Sequence, residues 1–229
     1  GMKWEEHHHD LFEGTALFYK PNYVGNLVNL WIPSLDGVEE KLKLGAKVAD
    51  IGCGYGISTI IMAKAYPNSK FYGFDNHVPS IEQAKNQVRA EEKKAGRRLG
   101  NIVFSPISAN DESIGTDYDL ITFFDCLHDM DDPVGAMKYA KRSLKQDGTC
   151  MIIEPMANDE LEENLNLVGR AFYAASTLVC VPNSLAGNGP ALGAQAGEKK
   201  IKAILLAGGF TKFRRATQTP FNIIYEARP

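Results

Sequence analysis

The chain has 229 residues, enough for one full α/β domain with a substantial core and short for two. Its 44% hydrophobic and 23% charged residues are ordinary for a globular protein, and a net charge of −3 provides no positive field to gather nucleic acid. No apolar run approaches the roughly 20 residues that span a bilayer, and no apolar leader opens the chain, so the expectation is a cytoplasmic protein without membrane contact.

Gly1 before Met2 reads as an expression remnant, and His7, His8 and His9 are adjacent histidines with no spaced partner, weak grounds for a metal. Residues 1–45 read as a helical segment packed on the domain formed by 46–229. Val24, Leu27, Val28 and Trp31 lie at helical spacing, ahead of a stop at Pro33. From Lys47 the pattern changes. Strands are expected at 48–51, 71–74, 102–104, 120–124 and 150–153. A helix carrying Ile57, Ile60 and Ile61 follows the first, and another opened by Pro79 and Ser80 follows the second. Asp132 as N-cap and Pro133 at the first helical position begin a helix through Met137, Ala140 and Leu144, and Gly148 breaks the chain before the fifth strand. Ser184 to Gly197 reads as a long uncharged loop suited to a lid or substrate wall. A helix at 198–207 precedes strands at 211–216 and 221–227, whose short connection implies an antiparallel pair. Strands alternating with helices imply a mostly parallel sheet covered on both faces. Cys53, Cys126, Cys150 and Cys180 are widely spaced without a CxxC, which points to reduced, buried thiols, and no metal is expected.

The turn after the first strand is Asp50-Ile51-Gly52-Cys53-Gly54-Tyr55-Gly56. Ligands of open α/β sheets bind beyond the carboxyl ends of the strands, where glycines let a backbone approach without a Cβ in the way. The spacing is D-x-G-x-G-x-G, neither the G-x-G-x-x-G of nicotinamide domains nor a P-loop. Asp75 ends the second strand, where a carboxylate can accept bonds from both ribose hydroxyls.

On Val-Ala-Asp-Ile-Gly-Cys-Gly-Tyr-Gly and Phe-Tyr-Gly-Phe-Asp the sequence resembles the superfamily of methyltransferases that use S-adenosylmethionine (SAM). The resemblance implies a Rossmann-like, seven-stranded sheet ending in an antiparallel hairpin, with S-adenosylhomocysteine (SAH) as product. It implies that Asp50 orders the glycine loop and reaches the methionine ammonium through water. Gly52, Cys53 and Gly54 would line the cofactor, Asp75 hold its ribose and Asn76 flank the adenine. Ser108 stands where such proteins often place an acid for the adenine amine, so Asn110 or the backbone of Ala109 would supply that contact. A narrower likeness, to a bacterial subgroup, rests on residues 9–15, 31–33, 123–129, 162–166 and 184–187. Its members commonly carry a winged-helix domain before the methyltransferase domain, and these 229 residues contain none.

The fourth strand runs into Phe123-Phe124-Asp125-Cys126-Leu127-His128-Asp129, which should border the sulfonium. Phe124, through its carbonyl, is a candidate partner for the methionine ammonium, with Asp125 beside it. His128 is the candidate general base, because an unperturbed imidazole titrates near neutrality; Asp125 or Asp129 would orient it. The bland alternative is that His128 braces the loop. Glu154, at the end of strand five, has the same geometric claim on the pocket. Phe18, Tyr19 and Tyr23 are candidates to close over the sulfonium, since ring faces attract a cation. Three functions follow: methyl transfer to a small-molecule acceptor, a SAM-binding regulatory module without catalysis, and a nicotinamide-dependent oxidoreductase. The aromatic preamble would cover its own pocket or pack on a second subunit as a homodimer. No Asn/Asp-Pro-Pro-Tyr/Phe follows strand four, which argues against a nucleic-acid acceptor.

Overall fold

The computed structural model describes all residues, 1–229. Its strands are β1 (Lys47–Ile51), β2 (Lys70–Phe74), β3 (Ile102–Ser105), β4 (Tyr118–Phe124), β5 (Leu144–Pro155), β6 (Lys212–Gln218) and β7 (Asn222–Arg228). Its helices are α1 (His9–Asn26), α2 (Val38–Leu44), α3 (Ile57–Ala65), α4 (Val78–Ala95), α5 (Pro133–Ser143), α6 (Leu167–Ala175), α7 (Val181–Ala186) and α8 (Glu198–Ala207). The strands form one seven-stranded sheet in the order β3-β2-β1-β4-β5-β7-β6. β1 to β5 are parallel, and β7 runs against both β5 and β6.

The central strands are apolar on both faces, as a sheet covered on both sides requires. On one face Ile121, Phe123, Ile152 and Tyr225 pack with Met137 of α5 and Leu205 of α8. On the other, Val48, Phe71, Leu120 and Met151 pack with Trp31, Ile32, Leu35 and Leu42. Residues 1–45 therefore share a core with the sheet. Register decides where the site lies. Ile51 pairs with Phe74 and Phe123, and Phe74 with Ser105, so the carboxyl ends of four strands stop at one level. The antiparallel return pairs Pro155 with Asn222, which brings the start of β7 to the same edge.

Several details depart from the sequence reading. α1 gives way to a π-helical turn at Leu27–Trp31, which swings the apolar stripe so that Tyr23, Leu27 and Trp31 are buried and Val24 is left exposed. Gly148 lies inside β5: Tyr118 pairs with Leu144 and Leu120 with Thr149, so the residues between bulge out while the strand continues. The loop expected from Ser184 begins at Gly187, because 184–186 close α7. α6, capped by the Asn166 side-chain oxygen Oδ1 that accepts from the Gly169 amide, was not anticipated. No helix is long and apolar enough to cross a membrane.

Candidate active site

Asp50 is fully buried beneath the glycine loop. Its carboxylate accepts from Ser58 Oγ (2.7 Å), Thr59 Oγ1 (2.6 Å) and Thr122 Oγ1 (3.0 Å), tying the start of α3 to β1 and β4. Burial pushes its pKa up to about 6, against the pull of those three hydroxyl donors. These bonds go to α3 and β4 and none to the glycine-loop backbone, and Asp50 does not line the cavity above it.

That loop turns through positive φ at Gly52 (68°), Gly54 (51°) and Gly56 (72°). A Cβ on Gly52 would stand 2.7 Å from Cys126 Sγ, so the β1 and β4 turns approach as closely as glycine permits. A Cβ on Gly54 would meet nothing within 4 Å: it would enter open space. Asp75 faces this loop. Its two oxygens accept from the amides of Gly54 (2.9 Å) and His77 (2.8 Å), which fixes the carboxylate at the rim. Burial raises its pKa, and the two amide bonds oppose that rise.

Above these turns lies a cavity of about 420 Å³. Gly52, Cys53, Gly54, Asp75 and Asn76 form one wall, Ser108, Ala109 and Asn110 a second, and Phe124, Asp125 and Cys126 a third. Asn110 Oδ1 is buried and has no hydrogen-bond partner, an acceptor in want of a donor. Tyr19 and Tyr23 of α1 complete the enclosure, stacked 5.8 Å apart with Tyr23 against Phe124. Phe18 does not join them. It is 57% exposed and packs edge-on against Tyr19 and Phe172, because one residue's step along α1 turns it to the outer side. Sequence reasoning missed Trp4, Phe12, Ala16 and Asn183, which also line the cavity, and Gly187 of the loop read as a lid or substrate wall lines it too.

The β4 turn carries the charged end of the site. Asp125 has a positive φ of 50°, a conformation that aspartate tolerates better than most residues. Its carboxyl meets the Tyr23 hydroxyl (2.8 Å) and the Asn222 amide (2.6 Å). Burial, reinforced by the nearby Glu154 carboxylate, pushes its pKa up to about 8. Asn222 was not foreseen, since only the antiparallel return of β7 brings it here. His128 is 1% exposed and lies behind this wall, outside the cavity lining. Its Nδ1 is 2.5 Å from Glu154 Oε2, and its Nε2 is 3.1 Å from Oδ1 of Asp129. Burial works against a charged ring there, but Asp129 and Glu154 outweigh it and hold the His128 pKa well above its ordinary value. Of these three groups, Asp129 alone reaches the cavity.

This chain matches the family described as "Methyltransferase domain" over residues 42–206. It belongs to that family. The match leaves the nicotinamide-oxidoreductase alternative without support. The methyltransferase domain is 29% identical over 144 residues to a ubiquinone biosynthesis O-methyltransferase of Actinobacillus pleuropneumoniae, covering 61% of this chain and 60% of that one. Among solved structures, an O-methyltransferase family protein from Burkholderia thailandensis superposes with a TM-score of 0.69 at 14% identity, covering 95% of this chain and 58% of that one. Human N-acetylserotonin methyltransferase, solved in complex with SAM, gives 0.61 at 18% identity, covering 93% and 58%. The chain thus spans about three-fifths of the length of each of these proteins.

Proposed function

We propose that the cavity binds SAM and that the protein transfers its methyl group to a small-molecule acceptor, releasing SAH. The observation that carries this reading is the pairing of Asp75 with Gly54 at the aligned ends of β1 and β2. A carboxylate fixed by two backbone amides presents its remaining lone pairs to a ribose diol, and the open space over Gly54 leaves room for the nucleoside. The unpartnered Asn110 Oδ1 supplies the acceptor that an adenine amine needs, at the place where Ser108 lacks a carboxylate. Tyr19, Tyr23 and Phe124 offer ring faces to a sulfonium. The named activities of the relatives, in ubiquinone biosynthesis and on N-acetylserotonin, support a small-molecule acceptor.

When bound, SAM supplies a methyl group on a positively charged sulfur, which departs without an acid. The residues of this chain then have to align the acceptor and keep water out. His128 acts as a positioning residue in this reading, holding Asp129 at the cavity wall from behind, while Glu154 orients the ring. The four cysteines are free, which fits a cytoplasmic setting.

Calorimetric titration with SAM, SAH and NADH tests the cofactor, followed by assay of SAH release with candidate acceptors. Saturable binding of the two adenosyl ligands alone is expected; a folded protein that binds neither overturns the reading. Binding without transfer to any acceptor would favour a regulatory module. Gly54→Ala should cost about 1–2 kcal/mol in thermal unfolding from left-handed strain. Its methyl group enters the nucleoside's space, so SAM binding should weaken roughly tenfold or more, or about 1.4 kcal/mol.

A further inference from the structure

One cluster behind the cavity wall has ligand chemistry that methyl transfer alone does not need. A ring nitrogen of His128, a carboxylate oxygen of Asp129 and Sγ of Cys180 all lie within 4.8 Å of one another. His128 and Cys180 are buried and Asp129 half-buried. Oδ1 of Asp129 is itself buried and receives no hydrogen bond, although Nε2 stands only 3.1 Å away. The two atoms converge at a separation that a shared proton or a bound cation can bridge. On the far side of the ring, Nδ1 is held by Glu154 at 2.5 Å, so the nitrogen left to face Asp129 and Cys180 is Nε2. A carboxylate on one ring nitrogen, with the other presented to further ligand atoms, is the arrangement that orients metal-binding histidines. Cys180 closes a π-helical turn, Ser176–Cys180, a local irregularity that concentrates at functional sites.

We propose that His128, Asp129 and Cys180 bind a zinc-class divalent cation at the edge of the cavity, leaving one coordination position open. One nitrogen, one sulfur and one oxygen donor suit zinc; calcium and magnesium would prefer an all-oxygen set. At bond lengths of about 2.0–2.3 Å, tetrahedral ligands stand about 3.3–3.6 Å apart, so the side chains need only small adjustments. Charge argues the same way. Asp129 and Glu154 flank one imidazole, Lys3 is the only lysine or arginine lining the cavity, and Glu154 Oε1 is buried without a partner. A divalent ion offsets that negative charge.

Of the three ligands Asp129 alone lines the cavity, as Tyr19 does, so the open position would face the cavity on the Asp129 side. The ligand class for it is an acceptor hydroxyl or thiol, a part of the inference that rests on the methyl-transfer reading. Such a group would lose its proton to solvent on binding. Its lone pair would form the bond to the methyl carbon, and the carbon–sulfur pair would return to sulfur as a thioether.

The test uses the full chain with His7→Ala, His8→Ala and His9→Ala, because His8, His9 and Asp10 form a second, exposed group able to hold a cation. Cobalt(II) is added without SAM under anaerobic conditions. One equivalent should produce a thiolate-to-cobalt absorption band that zinc abolishes. Cys180→Ser should remove the band, and Asp129→Asn should weaken cobalt binding at least tenfold, with circular dichroism unchanged in both. Absence of the band in the parent, or its survival in Cys180→Ser, overturns the proposal, Cys53 and Cys126 being the other thiols at the cavity. SAM binding is titrated on the same samples. A band without SAM binding would leave the metal site standing and remove the methyl-transfer reading, whereas SAM binding without a band would do the reverse.

Discussion

Asp75→Ala is expected to weaken SAM binding more than a hundredfold while the protein remains folded. Two effects add. The carboxylate is the natural partner of two ribose hydroxyls, and charge-assisted bonds are worth about 1.5–3 kcal/mol each, so losing both costs about 3 kcal/mol or more. It also holds the Gly54 amide at 2.9 Å and the His77 amide at 2.8 Å, so its removal loosens the turn against which the nucleoside would rest. Asp75 sits at a strand end on the cavity rim, outside the buried cores, so the cost to folding should be small beside the cost to binding. Calorimetry gives the affinity and circular dichroism the fold. A loss below about fivefold would mean that the ribose is held elsewhere and that the cofactor does not lie along Gly54 and Asp75. Asp75→Asn keeps an acceptor for only one of the two backbone amides and loses the charge, so it should weaken SAM binding by less than Asp75→Ala does.

The sheet and the glycine-loop wall of the cavity were legible because local pattern decides both. β1 is a buried apolar run, the turn after it needs positive φ at three glycines, and Asp75 ends the next strand in register. Such features are written within about 25 residues and survive any reasonable packing of the helices. Asp132 at the start of α5 was equally plain, a short polar side chain before a proline, and its carboxylate accepts the Gly135 amide.

What was not legible depends on contacts distant in sequence. Asn222 reaches Asp125 because β7 returns antiparallel along β5, and nothing around residue 222 announces it. Phe18 and Tyr19 are neighbours in sequence, yet one faces solvent and the other the cavity. Only the docking of α1, through Tyr23, Leu27 and Trp31, fixes which. His128 was read as a group facing the sulfonium because its turn borders the site. The structure turns the ring inward onto Glu154, whose position on β5 is set by sheet pairing. Cys180 gave no signal at all. Its π-helical turn lies in a segment whose exposed Leu165, Leu167 and Leu178 conceal the helical periodicity.

The second large effect concerns pH. Asp125 has an unfolded pKa of about 3.9, and in the fold burial and Glu154 push it up to about 8. Between those values the native state keeps a proton that the unfolded chain has lost. The stabilisation from this group is therefore complete below about pH 4 and is lost as pH rises toward 8, with a slope of about 1.4 kcal/mol per unit. Asp50, at about 6, and His128, held above its ordinary value, act in the same sense. Urea denaturation from pH 5 to 8 should therefore show stability falling, in contrast to the usual gain as paired carboxylates ionise. Asp125→Asn keeps the shape, tolerates the positive φ and can still bond Tyr23 and Asn222, so it should flatten that slope by about 1 kcal/mol per unit. An unchanged slope would mean that Asp125 is ionised in the native state. The Tyr23 hydroxyl would then be donating to a buried anion, and the cavity wall beside Phe124 would carry a negative charge before any ligand arrives. If the slope flattens as expected, that wall is neutral when empty at pH 7. A cationic ligand there would displace the proton of Asp125, an uptake of charge that calorimetry in buffers of different ionisation enthalpy would read directly.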